Sequence, residues 1–449
     1  MKKIALLSTL IFLLVSISFT ASGDRAFTYR EGVLDNGLKF FVIERSELPL
    51  VSFGMMVKSG AYHEKKPGIA SLLSSTLIYG NNYMSPQDVV STLDSLGASV
   101  SVSADYDSME LGSSMLSSTA ERVIKIISRI VRLPRFHQGI VDRFKMRTLA
   151  AIKAQKDSIA DEARMIFYRS IYGEHPYARN ILGTETSVSS ITRNDLIDFH
   201  RTHFVPNNTV IAIVGNIRYE RAKQILNKYF SDWKKRSLPA EKNYTIPPKK
   251  QKVVLVNYPT TQGFIRLGHI SARRNNPMYY HTLIYNAILG GSGFGSRLTD
   301  TIREKLGLTY GIVSYFYVYR KQEGYFHINF STNLDKIKFA VQKVYEVLEK
   351  YLKEGPIAQE LEGIKKYLMG MLIMQRETPS QLISLLMNQE LYGLKPYYWE
   401  QELITIKNLT LEQVKKAAKY IYKNQFSVVV VADKSKVNIT ESDLLPITR

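Results

Sequence analysis

Histidines that have a possible metal-binding partner at a suitable spacing are the first candidates for chemistry in this chain. His63 and Glu64 begin the segment HEKKP, which matches the zinc-peptidase pattern HExxH except at its last position. Pro67 stands where the second zinc-binding histidine would be, so the segment predicts a polar loop. His200 and His203 have the i, i+3 spacing that puts two side chains on one face of a helix and could hold a metal.

The sequence lacks the residues that other common kinds of catalytic or phosphate-binding site require. The chain has no cysteine, which excludes a thiolate metal site, a cysteine nucleophile and disulfide bonds. It contains neither a G-x-S-x-G elbow nor a Walker loop. In the glycine-rich run Gly290–Arg297 (GGSGFGSR), Ser296 stands where G-x-G-x-x-G requires its last glycine. The run does not follow a strand, and it predicts a flexible turn that opens a helix.

The segment Gly68–Thr76, GIASLLSST, carries a functional signal through the residues that it lacks. It resembles the start of the active-site helix in the insulinase, pitrilysin and mitochondrial-processing-peptidase family of zinc peptidases, which has the form G-[LIV]-A-H-x-x-E-H-[ML]. In that family the two histidines bind zinc and the glutamate activates the metal-bound water. Ser71, Ser74 and Ser75 occupy these three positions here.

Serine cannot take over these roles. A neutral hydroxyl is a poor zinc ligand, and an unactivated serine does not have the pKa that a general base needs. The resemblance places the third zinc ligand, a glutamate on a later helix, at Ala151, and the neighbouring Ala150 is no ligand either. We therefore predict no metal, no cofactor and no catalytic residue in this chain.

A second segment keeps the residue types that the family uses. The run Thr301–Tyr310 (TIREKLGLTY) follows Gly290–Arg297 and is similar to the family's second-half motif R-E-K-x-G-L-[AT]-Y. The resemblance implies that Arg303 and Tyr310 bind the substrate backbone or polarise the scissile carbonyl, for which a guanidinium and a phenol are suitable donors. The alternative is structural: Arg303 would cap a helix and Tyr310 would pack in a strand.

The remaining histidines favour structural roles. The segment FHRTHFVPNN, which holds His200 and His203, resembles a structural segment of the same family, and so does the loop with His175. The other four have no partner at a recognisable spacing: His137, His269, His281 and His327.

Alternating strands and helices position these residues in each half of the chain. Extended runs at Leu38–Glu44 and Leu50–Gly60 follow a tight turn at Asn36-Gly37, and a strand pair is predicted at Ser99–Leu116. A helix at Ser296–Leu306 leads into two further strands. The closing stretches of the halves, residues 190–217 and 408–435, are alike, which indicates duplication of one unit of about 200 residues.

The predicted fold is α+β, with two homologous domains that each contain an antiparallel sheet with helices packed on one side. Together they would form half of a clam-shell, as the resemblance implies. Residues 24–236 would form the N-terminal domain with the degenerate zinc site. A linker rich in proline and lysine follows at 237–251, and the C-terminal domain with Arg303 and Tyr310 spans 252–436.

The first 22 residues predict a secretory signal peptide. Lys2 and Lys3 precede an apolar run that ends in small residues and is short for a membrane anchor. We expect a periplasmic or otherwise exported chain that does not span the membrane. The formal net charge is +20, but the basic residues are scattered, which favours a solvated surface, and an exported chain has little access to nucleic acid.

The sequence thus predicts a non-catalytic subunit. By resemblance to bacterial members that divide the work between two related chains, it would pair with a homologous zinc-bearing subunit and contact the peptide substrate through Arg303 and Tyr310. The alternative is a stand-alone scaffold or peptide-binding protein with no part in hydrolysis. We also expect zinc only in the partner subunit.

Overall fold

The computed structural model describes residues 27–248 and 250–446. The predicted signal peptide lies outside the described residues. Among the helices that the structure describes, none combines the length and the apolar character needed to cross a membrane.

A six-stranded sheet organises the first half. Its strands, in spatial order β1-β2-β6-β3-β5-β4, are antiparallel except for the parallel pair β2–β6. Gly37 has φ +86°, and the Asn36 side chain accepts a hydrogen bond from the Leu38 amide at 3.1 Å, so the predicted turn joins β1 to β2. The bounds are β1 Arg30–Val33, β2 Lys39–Glu44, β3 Leu50–Val57, β4 Ser99–Ala104, β5 Met109–Leu116 and β6 Thr209–Gly215.

The second sheet repeats this arrangement with five strands. Its order is β7-β11-β8-β10-β9, with one parallel pair, β7–β11. These strands correspond in order and direction to β2, β6, β3, β5 and β4, so the first sheet differs by the added edge strand β1. Their bounds are β7 Lys252–Asn257, β8 Gln262–Ile270, β9 Ile312–Tyr317, β10 Tyr325–Asn333 and β11 Ser427–Ala432.

Fourteen α-helices accompany the sheets in the described residues. In the first half they are α1 Ile69–Thr76, α2 Pro86–Ser95, α3 Ala120–Arg132, α4 Gln138–Lys156, α5 Ile159–Tyr172, α6 Glu185–Ser190, α7 Arg193–His203 and α8 Tyr219–Phe230. In the second half they are α9 Tyr279–Asn286, α10 Ile337–Glu354, α11 Ala358–Met374, α12 Pro379–Tyr392, α13 Tyr398–Asn408 and α14 Leu411–Lys415. The α+β class with two similar sheets is therefore confirmed.

Each half lends one helix to the sheet of the other half. Helix α5 packs on β8 and β11, where Phe167 shares a buried cluster with Val429. Helix α12 packs on β3 and β6, where Leu386 shares a buried cluster with Val210. Burial of apolar surface on both sheets therefore holds the two halves together.

The segment before β9 departs from ordinary helix geometry. The helix predicted at Ser296–Leu306 is a π-helix over most of its length, at Thr299–Lys305, and a second π-helical turn, Ala287–Gly291, follows α9. Such wide turns are rare in proteins, and those that occur are often found at functional sites. The π-helical turn Ala287–Gly291 includes Gly290 and Gly291 at the start of the glycine-rich run, and the π-helix Thr299–Lys305 begins just after the run ends.

Candidate functional site

The start of α1 is fixed by the buried carboxyl group of Glu64. The HEKKP segment forms a turn and a loop, as predicted, but Glu64 is only 3% exposed. Its two oxygens accept hydrogen bonds from the amides of Gly68 at 2.9 Å and Ala70 at 3.0 Å, which satisfies donors at the helix N-terminus. Burial raises the pKa of the Glu64 carboxyl to about 8. This residue therefore caps α1.

The serines at the zinc-ligand positions bond to their own helix. The Ser74 hydroxyl donates to the Ser71 carbonyl at 2.8 Å, and the Ser75 hydroxyl donates to the same carbonyl at 2.9 Å. Ala150 and Ala151 are exposed on α4, the helix that packs against α1. Since this donor set contains only hydroxyls and methyl groups, it does not fit a zinc ion.

No three histidine, cysteine, aspartate or glutamate residues form a metal-binding group within the described part of the chain. The His200 ring nitrogen bonds to the carbonyl of Val131 at 2.7 Å, whereas His203 packs against the rings of Phe199 and His63. Burial lowers the pKa of both His200 and His203 to about 4. The pair thus packs in the protein interior and does not converge on one site.

The glycine-rich run presents an aromatic side chain to solvent. Gly293 and Gly295 have φ values of +73° and +79°, which only glycine adopts freely, and between them Phe294 is 75% exposed. The end of the run is anchored by Arg297, whose guanidinium pairs with Glu360 at 2.7 Å. Phe294 was not predicted as a functional residue, although an aromatic residue between two glycines is a recognisable signal.

Arg303 lies in the π-helical turn and Tyr310 in the loop that follows it, and no contact in the described residues joins the two side chains. The Arg303 guanidinium lies 4.6 Å from the centroid of the Phe294 ring and 3.5 Å from the Glu304 carboxylate. Tyr310, in the loop before β9, is 91% exposed. It does not pack in a strand, so the structural alternative for Tyr310 is not supported. Arg303 and Phe294 form a partly solvated pair of a cation and an apolar ring, and Tyr310 is a further exposed donor in the same stretch of chain.

Comparisons with known proteins agree with this geometry. Residues 40–185 match the family described as insulinase (peptidase family M16), and residues 190–368 match its peptidase M16 inactive domain. A Helicobacter pylori protein called the non-peptidase homolog YmxG is 24% identical over 382 residues, which cover 82% of this chain and 85% of the relative. An uncharacterized zinc protease YmxG of Bacillus subtilis is 22% identical over 401 residues, 88% of this chain and 96% of the relative.

Solved structures extend the similarity. The crystal structure of a peptidase M16 inactive domain from Pseudomonas fluorescens superposes with a TM-score of 0.86 at 27% identity, covering 92% of this chain and all of that one. The periplasmic protease PqqL from Escherichia coli has the same fold at 18% identity and a TM-score of 0.77, covering 95% of this chain and 49% of PqqL. With serine and alanine at the ligand positions, the chain belongs to the insulinase (M16) peptidase family as a non-catalytic member.

Proposed function

We propose that this chain is the zinc-free subunit of a two-subunit, exported peptidase. It pairs with a homologous subunit that carries the intact HxxEH motif, and the pair encloses the peptide. Zinc is held by the partner, while Arg303 and Tyr310 of this chain contact the substrate. The observation that carries the proposal is the solvent exposure of Tyr310, at 91%, in a chain whose helix α1 lacks every zinc-binding side chain.

The exposed donors suit a peptide backbone. A guanidinium offers five N–H donors and a phenol offers one O–H donor, so Arg303 and Tyr310 could bind carbonyl oxygens of an extended peptide. Because Arg303 lies over the ring of Phe294, its position is restrained before substrate arrives. Phe294 adds an apolar surface for a substrate side chain.

Co-expression with a zinc-bearing homologue from the same genome tests the proposal. We expect the two chains to copurify and to cleave an unfolded peptide together. Neither chain alone should cleave the peptide. Arg303→Ala with Tyr310→Phe should lower the rate by about 100-fold without preventing pairing. Arg122→Ala with Tyr83→Phe, at two other exposed positions, is the control. An unchanged rate in the first double variant would exclude the substrate-contact role.

A stand-alone peptide-binding protein is the second candidate. One face of α11 exposes Tyr367, Met371 and Met374 at i, i+4 and i+7, an apolar row that could bind peptide without a partner. Peptide binding by the purified chain, combined with failure to copurify with any zinc-bearing homologue, would favour this candidate.

A further inference from the structure

Helix α4 carries two arginines on the face that holds the degenerate ligand position. Arg143, Arg147 and Ala151 are spaced i, i+4 and i+8, so they lie along one side of the helix. Both arginines are exposed. Arg147 is one helical turn, about 6 Å, from Ala151. We call Arg143 and Arg147 the arginine row.

An aromatic surface supports the arginine row. The Arg143 and Arg147 guanidiniums lie 5.5 and 5.2 Å from the centroid of the Phe144 ring, and Arg143 is also 5.5 Å from that of Tyr79. The Tyr79 and Phe144 rings are 5.0 Å apart and contact each other. Stacking on aromatic rings restrains a guanidinium while leaving its N–H donors free for a ligand.

Helix α4, which carries the arginine row, packs against the serine helix α1, and contacts at the two ends of α4 indicate that the helices run in opposite directions. Arg143 contacts Tyr79, just beyond the C-terminal end of α1. At the other end of α4, Lys156 pairs with a glutamate of α6, and Ser187 of α6 donates to the carbonyl of Pro67, just before α1. The arginine row therefore lies on the helix that packs against the serine helix, and its Arg143 is near the C-terminal end of α1.

The charge of the arginine row is not neutralised within the described residues. The neighbouring cations are engaged: Lys145 donates to two backbone carbonyls, and Lys156 forms an ion pair. The ion pairs of the described chain include neither Arg143 nor Arg147. The acidic residue of α4, Asp142, accepts a hydrogen bond from a glutamine side chain of the same helix. A positive surface thus lies on the helix that carries the degenerate ligand position Ala151.

We propose that the arginine row selects acidic peptide segments, binding the carboxylates of aspartate, glutamate or a chain terminus. This inference deepens the proposed function and rests on it, since it names the peptides that the non-catalytic subunit would present. The fork of a guanidinium matches a carboxylate in geometry as well as charge. Exposed Met146, between the two arginines in sequence, adds apolar contact for a peptide.

The test measures binding of labelled peptides to the purified chain alone by fluorescence anisotropy. The probe is an unstructured peptide with several glutamates, compared with the same peptide bearing glutamines. We expect the acidic peptide to bind about tenfold more tightly, as two partly exposed ion pairs allow, and its advantage to shrink with added salt. Arg143→Gln with Arg147→Gln should abolish the preference.

Two variants exclude other causes. Lys350→Gln with Lys353→Gln removes the same charge from two exposed positions on α10 and should leave the preference intact. Arg143→Lys with Arg147→Lys keeps the charge and should retain part of the preference. Circular dichroism checks that each variant folds.

Clear results would overturn the inference. It is wrong if the acidic and neutral peptides bind equally, if neither binds, or if the preference survives loss of the arginine row. It is also wrong if the arginine row binds only anionic vesicles or single-stranded DNA. Because the assay uses this chain alone, its outcome is independent of whether a zinc-bearing partner exists. Acidic-peptide binding without such a partner would support the inference and reject the two-subunit function.

Discussion

The side chains of the serine helix and those of the glycine-rich segment of the second half have opposite roles. In α1, the hydroxyls of Ser74 and Ser75 bond to the helix backbone, and the buried carboxyl group of Glu64 caps the helix. In the second region, Phe294 and Tyr310 are largely exposed. The first region therefore retains the architecture of an active site for stability, whereas the second leaves its side chains available to a ligand.

This contrast predicts that substitutions near α1 change stability, and that substitutions in the glycine-rich segment change binding. Glu64→Ala should have the largest effect on stability. It leaves two buried amides without an acceptor, so we expect a loss of about 3 kcal/mol in the free energy of unfolding. Urea denaturation measures the loss. A change below about 1 kcal/mol would show that the cap contributes little.

The pH dependence of stability sharpens the same point. The pKa of Glu64 is about 8 in the folded chain and 4.5 for a free carboxyl. Because the folded chain binds this proton more tightly, the proton stabilises the fold, and the stabilisation is fully present at pH values below the unfolded-state pKa of 4.5. It is lost as the pH rises from about 4.5 to about 8. Glu64→Gln, which cannot ionise, should lose less stability over that interval, by an amount on the order of a few kcal/mol. Urea midpoints of both proteins at about pH 5 and pH 8 measure the difference; parallel profiles would contradict this assignment.

A small effect is expected at the former ligand positions themselves. Ser74→Ala with Ser75→Ala removes hydroxyls whose hydrogen bonds, among the described residues, go to the Ser71 carbonyl of their own helix. Alanine also has the higher helix propensity. The free energy of unfolding should change by less than about 1 kcal/mol. Thermal unfolding provides the measurement, and a large loss would mean that the hydroxyls have a further role.

Local patterns were enough to predict much of this molecule. The similar closing stretches indicated the duplication that the two sheet orders display, and Asn36-Gly37 indicated the first turn. The serine and alanine substitutions identified the degenerate site because ligand chemistry depends on residue type. These features could be predicted because they depend on neighbouring residues or on the similarity of the two halves.

Other features depend on contacts between distant parts of the chain. The exchange of α5 and α12 between the sheets has no local signal, because each helix would show the same amphipathic pattern on either sheet. The capping role of Glu64 was hidden in a segment that predicted a solvated loop. The π-helical turns could not be distinguished from an α-helix by hydrophobic spacing.

Phe294→Ala is the prediction with the smallest effect on stability. Phe294 is 75% exposed between two glycines with positive φ, so its removal should change the free energy of unfolding by less than about 0.5 kcal/mol. If Phe294 orients Arg303 and contacts the peptide, the KM of the two-subunit peptidase should rise about fivefold, since a single aromatic contact at a binding surface contributes roughly 1 kcal/mol. The control is Phe339→Ala, which removes a different exposed phenylalanine, located on α10, and should leave the KM unchanged. A loss of stability with an unchanged KM would mean that this region, like α1, serves only the fold.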